Sequence, residues 1–324
     1  MSRVKVLITD GIAENGLDLL KQGDQFDLDV RKATSPDELE KIIGDYDCVV
    51  IRSATTLTEA LIRKGKSLKL IVRAGAGVDN IAVPVATELK IPVMNTASAN
   101  SLAAAEQTIA LLFAMFRKIP QAMRSLQNEK WDRNSFKGYE VTGKTLGVIG
   151  LGHIGQIVAE KAIGLGMQVL GFDPSLQDMS QLPKLARHEE SVSLSKSVED
   201  LLPKVDVLTL HVPKSEATKN LINEKTLGLM KKGSFLINCA RGGVVKEADV
   251  LAALESGQLE GAAFDVFEKE PPSFPNPLFQ HDQVIVVPHL GASTHEAQKR
   301  VASTAAQQMI GFFQKNERTG IINL

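Results

Sequence analysis

The chain has 324 residues, a length that at roughly 150 residues per domain points to two domains. Its 37 Lys and Arg against 38 Asp and Glu leave a formal charge of -1, so no cationic excess exists for a nucleic-acid backbone or an anionic membrane, and neither partner is expected. A hydrophobic content of 44% with 23% charge and 13 prolines supplies material for sizeable cores and excludes extended disorder.

In chain order, the first elements are the strand-like VKVLIT at 4–9, a helix from about Ala13 to Leu20, and FDLDVR at 26–31. Ser35-Pro36-Asp37-Glu38 reads as an N-cap with proline and acids in the first turn, leading into Leu39, Ile42 and Ile43. CVVIR at 48–52, LKLIVR at 68–73 and IPVMNT at 91–96 follow, separated by helical stretches. Such alternation predicts a parallel sheet with crossover helices.

Ser98-Ala99-Asn100-Ser101 is a capping cluster that opens a long helix ending near Phe116. Its nearly all-round apolarity predicts burial on every face, between domains or between subunits. After a polar arm containing Trp131, a second α/β series runs through TLGVIG at 145–150, MQVLGFD at 167–173, VDVLTLHV at 205–212, GSFLINCA at 233–240, EGAAFDV at 260–266 and QVIVVPH at 283–289. A last helix from about Thr294 to Phe313 carries Val301, Ala305, Met309 and Phe313 on one stripe. Two doubly wound units are expected; periodicity leaves open which of them the last helix packs on.

Cys48 and Cys239 lie in apolar runs and are too few for a disulfide framework or a zinc site, so they read as buried thiols in a reducing compartment. The start, MSRVKVLITD, lacks the hydrophobic core of a signal peptide. The most apolar segment, Leu102 to Phe116, is interrupted by Glu106 and Gln107 and is too short to span a bilayer. A cytoplasmic protein is expected.

Gly150-Leu151-Gly152-His153-Ile154-Gly155 fits G-x-G-x-x-G, and its context gives it weight. A strand precedes it; Ile154, Ile157, Val158, Ala162 and Leu165 form a helical stripe after it; Asp173 ends the next strand. The glycines allow a tight turn and close approach of a pyrophosphate to the amides at a helix N-terminus. The Asp173 carboxylate would accept from the ribose hydroxyls of NAD and repel the extra phosphate of NADP, so NAD is the expected cofactor.

Oxidation of an alcohol carbon needs a base for the hydroxyl proton and a cation to polarise the developing carbonyl. Arg241 follows LINCA, Glu270 follows AAFDVF, and His289 ends VIVVP, so all three sit past strand ends of the cofactor unit, where ligands of open α/β sheets collect. A carboxylate bonded to the imidazole would raise its pKa and fix its tautomer. His188, His281 and His295 lie in polar stretches; His211 ends a strand and could line the adenine side. No spacing of His, Cys, Asp or Glu suggests a metal site. Arg52 and Arg73, in IRS and VRA, end neighbouring strands and make a clamp suited to a dianionic phosphate, or pair with local acids.

VIRSATTLT, VRAGAGVDNI, NTASANSLAAAE, GKTLGVIGLGHIG, NCARGGVV, AAFDVFEKEPP and PHLGASTHEA follow one another collinearly from about residue 50 to 297. In these motifs the chain resembles the D-isomer-specific 2-hydroxyacid dehydrogenases. The resemblance implies an NAD-binding Rossmann domain at 100–288 inserted into a flavodoxin-like substrate domain made of 1–99 plus 289–324. It implies Arg241, Glu270 and His289 as the catalytic trio, with Glu270 orienting His289. Cofactor contacts are implied at Gly150, Gly152, His153, Ile154, Gly155 and Asp173. Further contacts fall at His211, Val212, Pro213 and Thr218, at Cys239, Ala240 and Arg241, and at Asp265, His289, Gly291 and Ala292. On the substrate side it implies the backbone of Ala74, Gly75, Ala76 and Gly77 for the carboxylate, with Arg52, Arg73 and Asn100 toward a phosphate.

The activity so implied is NAD-dependent oxidation of 3-phospho-D-glycerate to 3-phosphohydroxypyruvate, the entry to serine synthesis. A hydroxypyruvate or glyoxylate reductase and an NAD(H)-sensing corepressor-like protein are the alternatives. The family also implies a homodimer or higher homo-oligomer, built through the helix at 101–116 and the Trp131 arm. The chain's end at Leu324 carries the expectation that no C-terminal regulatory domain is present. Ala76, where relatives often have a hydroxyl, and His153, where they often have another basic residue, bear on the strength of cofactor binding.

Overall fold

Five short apolar runs in the first hundred residues build a parallel sheet from β1 (Val4–Ile8), β2 (Phe26–Val30), β3 (Cys48–Ile51), β4 (Leu70–Arg73) and β5 (Val93–Asn95). Their order is β2-β1-β3-β4-β5, the flavodoxin-like winding. All four residues of β3 are buried, which is why CVVI shows no polar alternation: helices cover both faces of a parallel sheet. Residues 3–324 are described in this computed structural model.

One face of this sheet, with Val6, Ile8, Val50, Val72 and Met94, packs on Leu17 and Leu20 and on Val301, Ala305 and Met309. The C-terminal helix, His295–Lys315, therefore belongs to the first sheet. It lies so close to the helix Glu14–Lys21 that a Cβ on Gly16 would meet the Ala302 carbonyl oxygen at 2.7 Å. The opposite face buries Leu7, Leu39, Ile43, Val49, Ile62 and Ile71. Ser35 caps the helix Pro36–Ile42 by accepting from the Glu38 N–H, as its position predicts. The last residues run along β5, where the Ile322 N–H donates to the Val93 carbonyl.

Seven further strands make a second parallel sheet: β6 (Thr145–Ile149), β7 (Gln168–Phe172), β8 (Val192–Leu194), β9 (Val207–Leu210), β10 (Ser234–Asn238), β11 (Leu259–Phe264) and β12 (Val284–Val286). Their order, β12-β11-β10-β9-β6-β7-β8, is that of a dinucleotide-binding fold with one added strand. Two compact units result, one of residues up to Asn100 with Ala292–Leu324, the other of Ser101–Gly291. The sequence placed these crossings at 99/100 and 288/289.

Within the second unit, register sets where the loops emerge. Phe172 pairs with Ile149, Ile149 with Leu210, Leu210 with Asn238, Asn238 with Phe264, and Phe264 with Val286. Six strands thus end on one row, and the next residue of each is Asp173, Gly150, His211, Cys239, Asp265 or Val287.

Two features differ from the sequence reading. β8 has only three residues, too short for a pattern to declare it. The segment read as the start of a polar arm contains a helix, Ile119–Gln127, with no buried residue. The helix Ser101–Phe116 buries Ala105, Leu112, Met115 and Phe116 but leaves Leu102, Glu106 and Ala110 exposed along one stripe, so a single chain does not cover it on every side. Among the described residues no helix is long and apolar enough to cross a membrane.

Candidate active site

The glycine turn follows β6 and is built for close approach. Gly150 has φ 93°, and a Cβ there would stand 2.6 Å from the His211 carbonyl oxygen. A Cβ on Gly155 would meet the Gly150 carbonyl oxygen at 1.9 Å, so only glycine lets this helix sit on the turn. Gly152 faces open space and begins the helix His153–Gly164 without any side-chain cap. The N–H groups and partial positive charge of that helix end remain available to an anion. His153 is exposed beside it, and Ile154 is half-buried.

Asp173 lies past β7. Its Oδ2 accepts from the Leu151 N–H at 2.9 Å, and its Oδ1 from the Ser175 N–H and hydroxyl at 3.0 and 2.6 Å. Burial pushes this carboxyl up, but the Ser175 and Leu151 donors outweigh it and hold it below its ordinary value. His211 is pushed down to about 3 by burial and is therefore neutral. Its Nε2 lies 3.1 Å from the Thr209 hydroxyl, while its buried Nδ1 has no hydrogen-bond partner among the described residues. Val212 and Pro213 follow, and the Thr218 hydroxyl closes the loop by donating to the Pro213 carbonyl at 2.6 Å. An uncapped helix end, a cradle that a Cβ would fill and an unmet buried nitrogen suit a dinucleotide.

Arg241, Glu270 and His289 are brought together on the same edge. The buried Asn238 shapes the turn before Arg241: its Oδ1 accepts from the Ala240 N–H at 3.1 Å and its Nδ2 donates to the Arg241 carbonyl at 3.2 Å. Within that turn the Cys239 thiol is buried and pushed up to about 12, which leaves it unreactive. Glu270 is oriented at both oxygens. Oε1 accepts from the Phe267 N–H at 3.0 Å, and Oε2 lies 2.6 Å from His289 Nδ1.

His289 has φ 54°, a left-handed backbone that side chains rarely adopt. The buried Asp265 holds it there, with Oδ1 accepting from the Leu290 N–H at 2.6 Å and Oδ2 from the Gly291 N–H at 2.8 Å. Ala292 opens the second segment of the first unit.

Charge in this cluster is uneven. The Glu270 bond raises the His289 pKa, and burial only partly opposes it. For Glu270, burial pushes upward, but the His289 bond, the Phe267 N–H and the charges of His289 and Arg241 bring it below the usual value. Asp265 is raised by burial, which its two backbone donors offset incompletely. A carboxylate on Nδ1 directs that nitrogen's proton toward Glu270 and leaves Nε2 as the exchanging atom.

In the first unit, Ile51 pairs with Arg73, so Arg73 is the last residue of β4 while Arg52 follows the end of β3, one residue past the level of Arg73. The Arg52 turn is held by residues the sequence did not single out. Asp10 accepts from the Arg52 N–H at 2.7 Å and the Thr55 hydroxyl at 2.6 Å, and Asn80 donates to the carbonyls of Arg52 and Thr55 at 2.7 and 2.6 Å. Among the described residues Arg52 makes no ion pair with an acid. Arg73 donates to the Ala74 carbonyl at 3.1 Å and lies over Gly75, where a Cβ would stand 1.4 Å from its guanidinium. Ala76 is fixed by Asn95, which donates to its carbonyl at 2.8 Å; Gly77 follows, half-buried, and Asn100 is partly buried. No group of three metal-ligating side chains occurs among the described residues.

Replacing Glu270 by Gln removes the charge that raises His289. The His289 midpoint, followed by NMR of ¹³C-labelled histidines, is expected to fall toward the ordinary value of about 6.5. An unchanged midpoint would show that the pair does not set it.

A family model described as D-isomer specific 2-hydroxyacid dehydrogenase, NAD binding domain, matches residues 109–291. Two curated relatives carry the name D-3-phosphoglycerate dehydrogenase. That of Methanocaldococcus jannaschii is 42% identical over 99% of this chain and 60% of its own length; that of Bacillus subtilis is 41% identical over 99% of this chain and 59% of its own. The chain thus spans about 60% of the length of these relatives. Among solved structures, a glyoxylate reductase from Paecilomyes thermophila superposes with TM-score 0.88 at 27% identity, covering 99% of each chain. A D-lactate dehydrogenase from Aquifex aeolicus, complexed with NAD and lactic acid, gives TM-score 0.85 at 26% identity, covering 98% of this chain and 99% of its own. With its dinucleotide-fold sheet, its glycine turn and a family match over more than half its length, the chain belongs to the D-isomer specific 2-hydroxyacid dehydrogenase family.

Proposed function

We propose that the chain carries the NAD-dependent oxidation of 3-phospho-D-glycerate to 3-phosphohydroxypyruvate, the entry to serine synthesis. The observation that carries this reading is the 2.6 Å His289–Glu270 pair on the loop edge of an NAD-binding domain, with the charge of Arg241 acting on both. When bound, NAD supplies the hydride acceptor. His289 Nε2 takes the hydroxyl proton, Glu270 stabilises the resulting imidazolium through Nδ1, and Arg241 polarises the developing carbonyl. Oxidation therefore quickens, and reduction slows, as pH rises through the His289 midpoint. The glycine turn and helix end hold the pyrophosphate. Asp173 takes the ribose hydroxyls, and His211, Val212, Pro213 and Thr218 border the adenosine, with Cys239, Ala240, Asp265, Gly291 and Ala292 lining the remainder.

The substrate carboxylate is assigned to the amides of Ala74 to Gly77, and the phosphate to Arg52 and Arg73 with Asn100. Support comes from the names of the relatives and from Arg52, whose charge is not committed to an acid. Changing Arg52 and Arg73 singly to Ala is expected to lower kcat/KM for 3-phosphohydroxypyruvate by about 10- to 100-fold each, the range for a bond to a charged group. Hydroxypyruvate, which has no phosphate, should lose far less. Equal losses for both substrates would remove the clamp.

The chain is further assigned to a homodimer. Ile119, Met123 and Leu126 are each more than half exposed and Trp131 is 80% exposed, an apolar face beside the exposed stripe of Ser101–Phe116 that a second copy would cover. Sedimentation at micromolar concentration should give a dimer, and Met123→Glu with Leu126→Glu should yield monomer. A wild-type monomer would refute the assignment. Two buried free thiols suit a reducing compartment, and the cytoplasm is the proposed location.

A further inference from the structure

The turn that carries Arg241 and the loop that carries Glu270 are in direct backbone contact. A Cβ on Gly242 would stand 1.6 Å from the Phe267 carbonyl oxygen, so the two segments cross where only glycine fits. Five residues on, at the start of the helix Glu247–Glu255, the segments are tied again by a reciprocal pair. The Glu268 N–H donates to Glu247 Oε1 at 2.6 Å, and the Glu247 N–H donates to Glu268 Oε1 at 2.9 Å. Glu268 is two residues from Glu270, and Glu270 turns back to the Phe267 N–H. Within 267–270 the Phe267 N–H is thus met by the Glu270 carboxylate and the Glu268 N–H by the Glu247 carboxylate.

We infer that Glu247 is a positioning residue of the active site, which through the Glu268 backbone keeps the Glu270 carboxylate on His289. Each carboxylate meets the other residue's N–H, so two backbone donors are satisfied although the like charges repel. Burial raises the half-buried Glu247 carboxyl, and Glu268 and Glu270 add to that rise while the Glu268 N–H opposes it. The carboxyl accepts from the Glu268 N–H whether ionised or not, so the tie needs an acceptor oxygen and not a charge. The groups acting on His289 from this unit are Glu270, Asp265 and Arg241. Of these, Glu270, two residues on, is the nearest in sequence to the tied Glu268 N–H.

This inference rests on the proposed acid–base role of His289, so its test reads the imidazole directly and needs no substrate. In Glu247→Ala the segment 267–270 loosens, Glu270 spends less time on Nδ1, and the ¹³C-histidine NMR midpoint of His289 should fall by about half a pH unit or more toward about 6.5. Glu247→Gln keeps an acceptor oxygen and should restore the wild-type midpoint. Should Glu247→Ala not fold, Glu268→Ala removes the reciprocal bond from an exposed position and should shift the midpoint in the same direction by less. A wild-type midpoint in the folded Ala variant, or a Gln variant that shifts as far as the Ala variant, would overturn the inference. A midpoint that moves as expected in a chain that does not turn over phosphoglycerate would leave the positioning role standing and sink the substrate assignment alone.

Discussion

The structure depends on a shared end. Phe172, Ile149, Leu210, Asn238, Phe264 and Val286 pair across six parallel strands as one row, so whatever follows them must emerge on one edge. Inside the sheet, ladder bonds satisfy the backbone and apolar side chains fill both faces, leaving little room for charge. One step beyond the row, last bonds such as the Asp265 N–H to the Asn238 carbonyl close the ladder, and polar side chains are accommodated from there on. Asp173, Asp265, Arg241, Glu270 and His289 all lie past this boundary.

Past the ladder, the backbone still needs partners for its N–H groups, and side-chain carboxylates provide them. Asp10 holds the Arg52 turn, Asp173 the glycine turn, Asp265 the loop after His289, Glu270 the Phe267 N–H, and Glu247 the Glu268 N–H. The same design recurs in both units: an acid fixes the loop and an adjacent cation or imidazole is presented by it. His289 shows what this achieves, since its left-handed backbone would relax without the two bonds from Asp265.

Much of this was legible in the sequence. Runs such as VKVLIT and SFLIN announce strands because buried parallel strands are apolar without alternation, and the glycine turn is readable because strand, turn, helix and acid occur in one short stretch. Arg241, Glu270 and His289 are individually ordinary, and strand-end placement together with the family resemblance singled them out. Most of the bonds that hold these loops were not legible, although the resemblance singles out Asp265 for a cofactor contact and Glu270 for orienting His289. Asp10 meets Arg52 across 42 positions, Asp265 meets Leu290 across 25, and Glu247 meets Glu268 across 21, and an acid in a loop looks solvated until the loop it binds is seen. The helix Ile119–Gln127 escaped because its apolar positions contribute nothing to the core of its own chain, and β8 because three residues cannot display a period.

We propose that this site acts on a phosphorylated hydroxyacid pair through His289 and NAD. Initial rates of NADH oxidation with 3-phosphohydroxypyruvate, hydroxypyruvate and glyoxylate, measured under one set of conditions, test it most directly. The kcat/KM for the phosphorylated substrate is expected to be higher by about a hundredfold or more, the discrimination that follows when a site's charged groups are left unpaired by the lesser substrate. Comparable or higher efficiency with glyoxylate or hydroxypyruvate, or no turnover with any of the three, would contradict it.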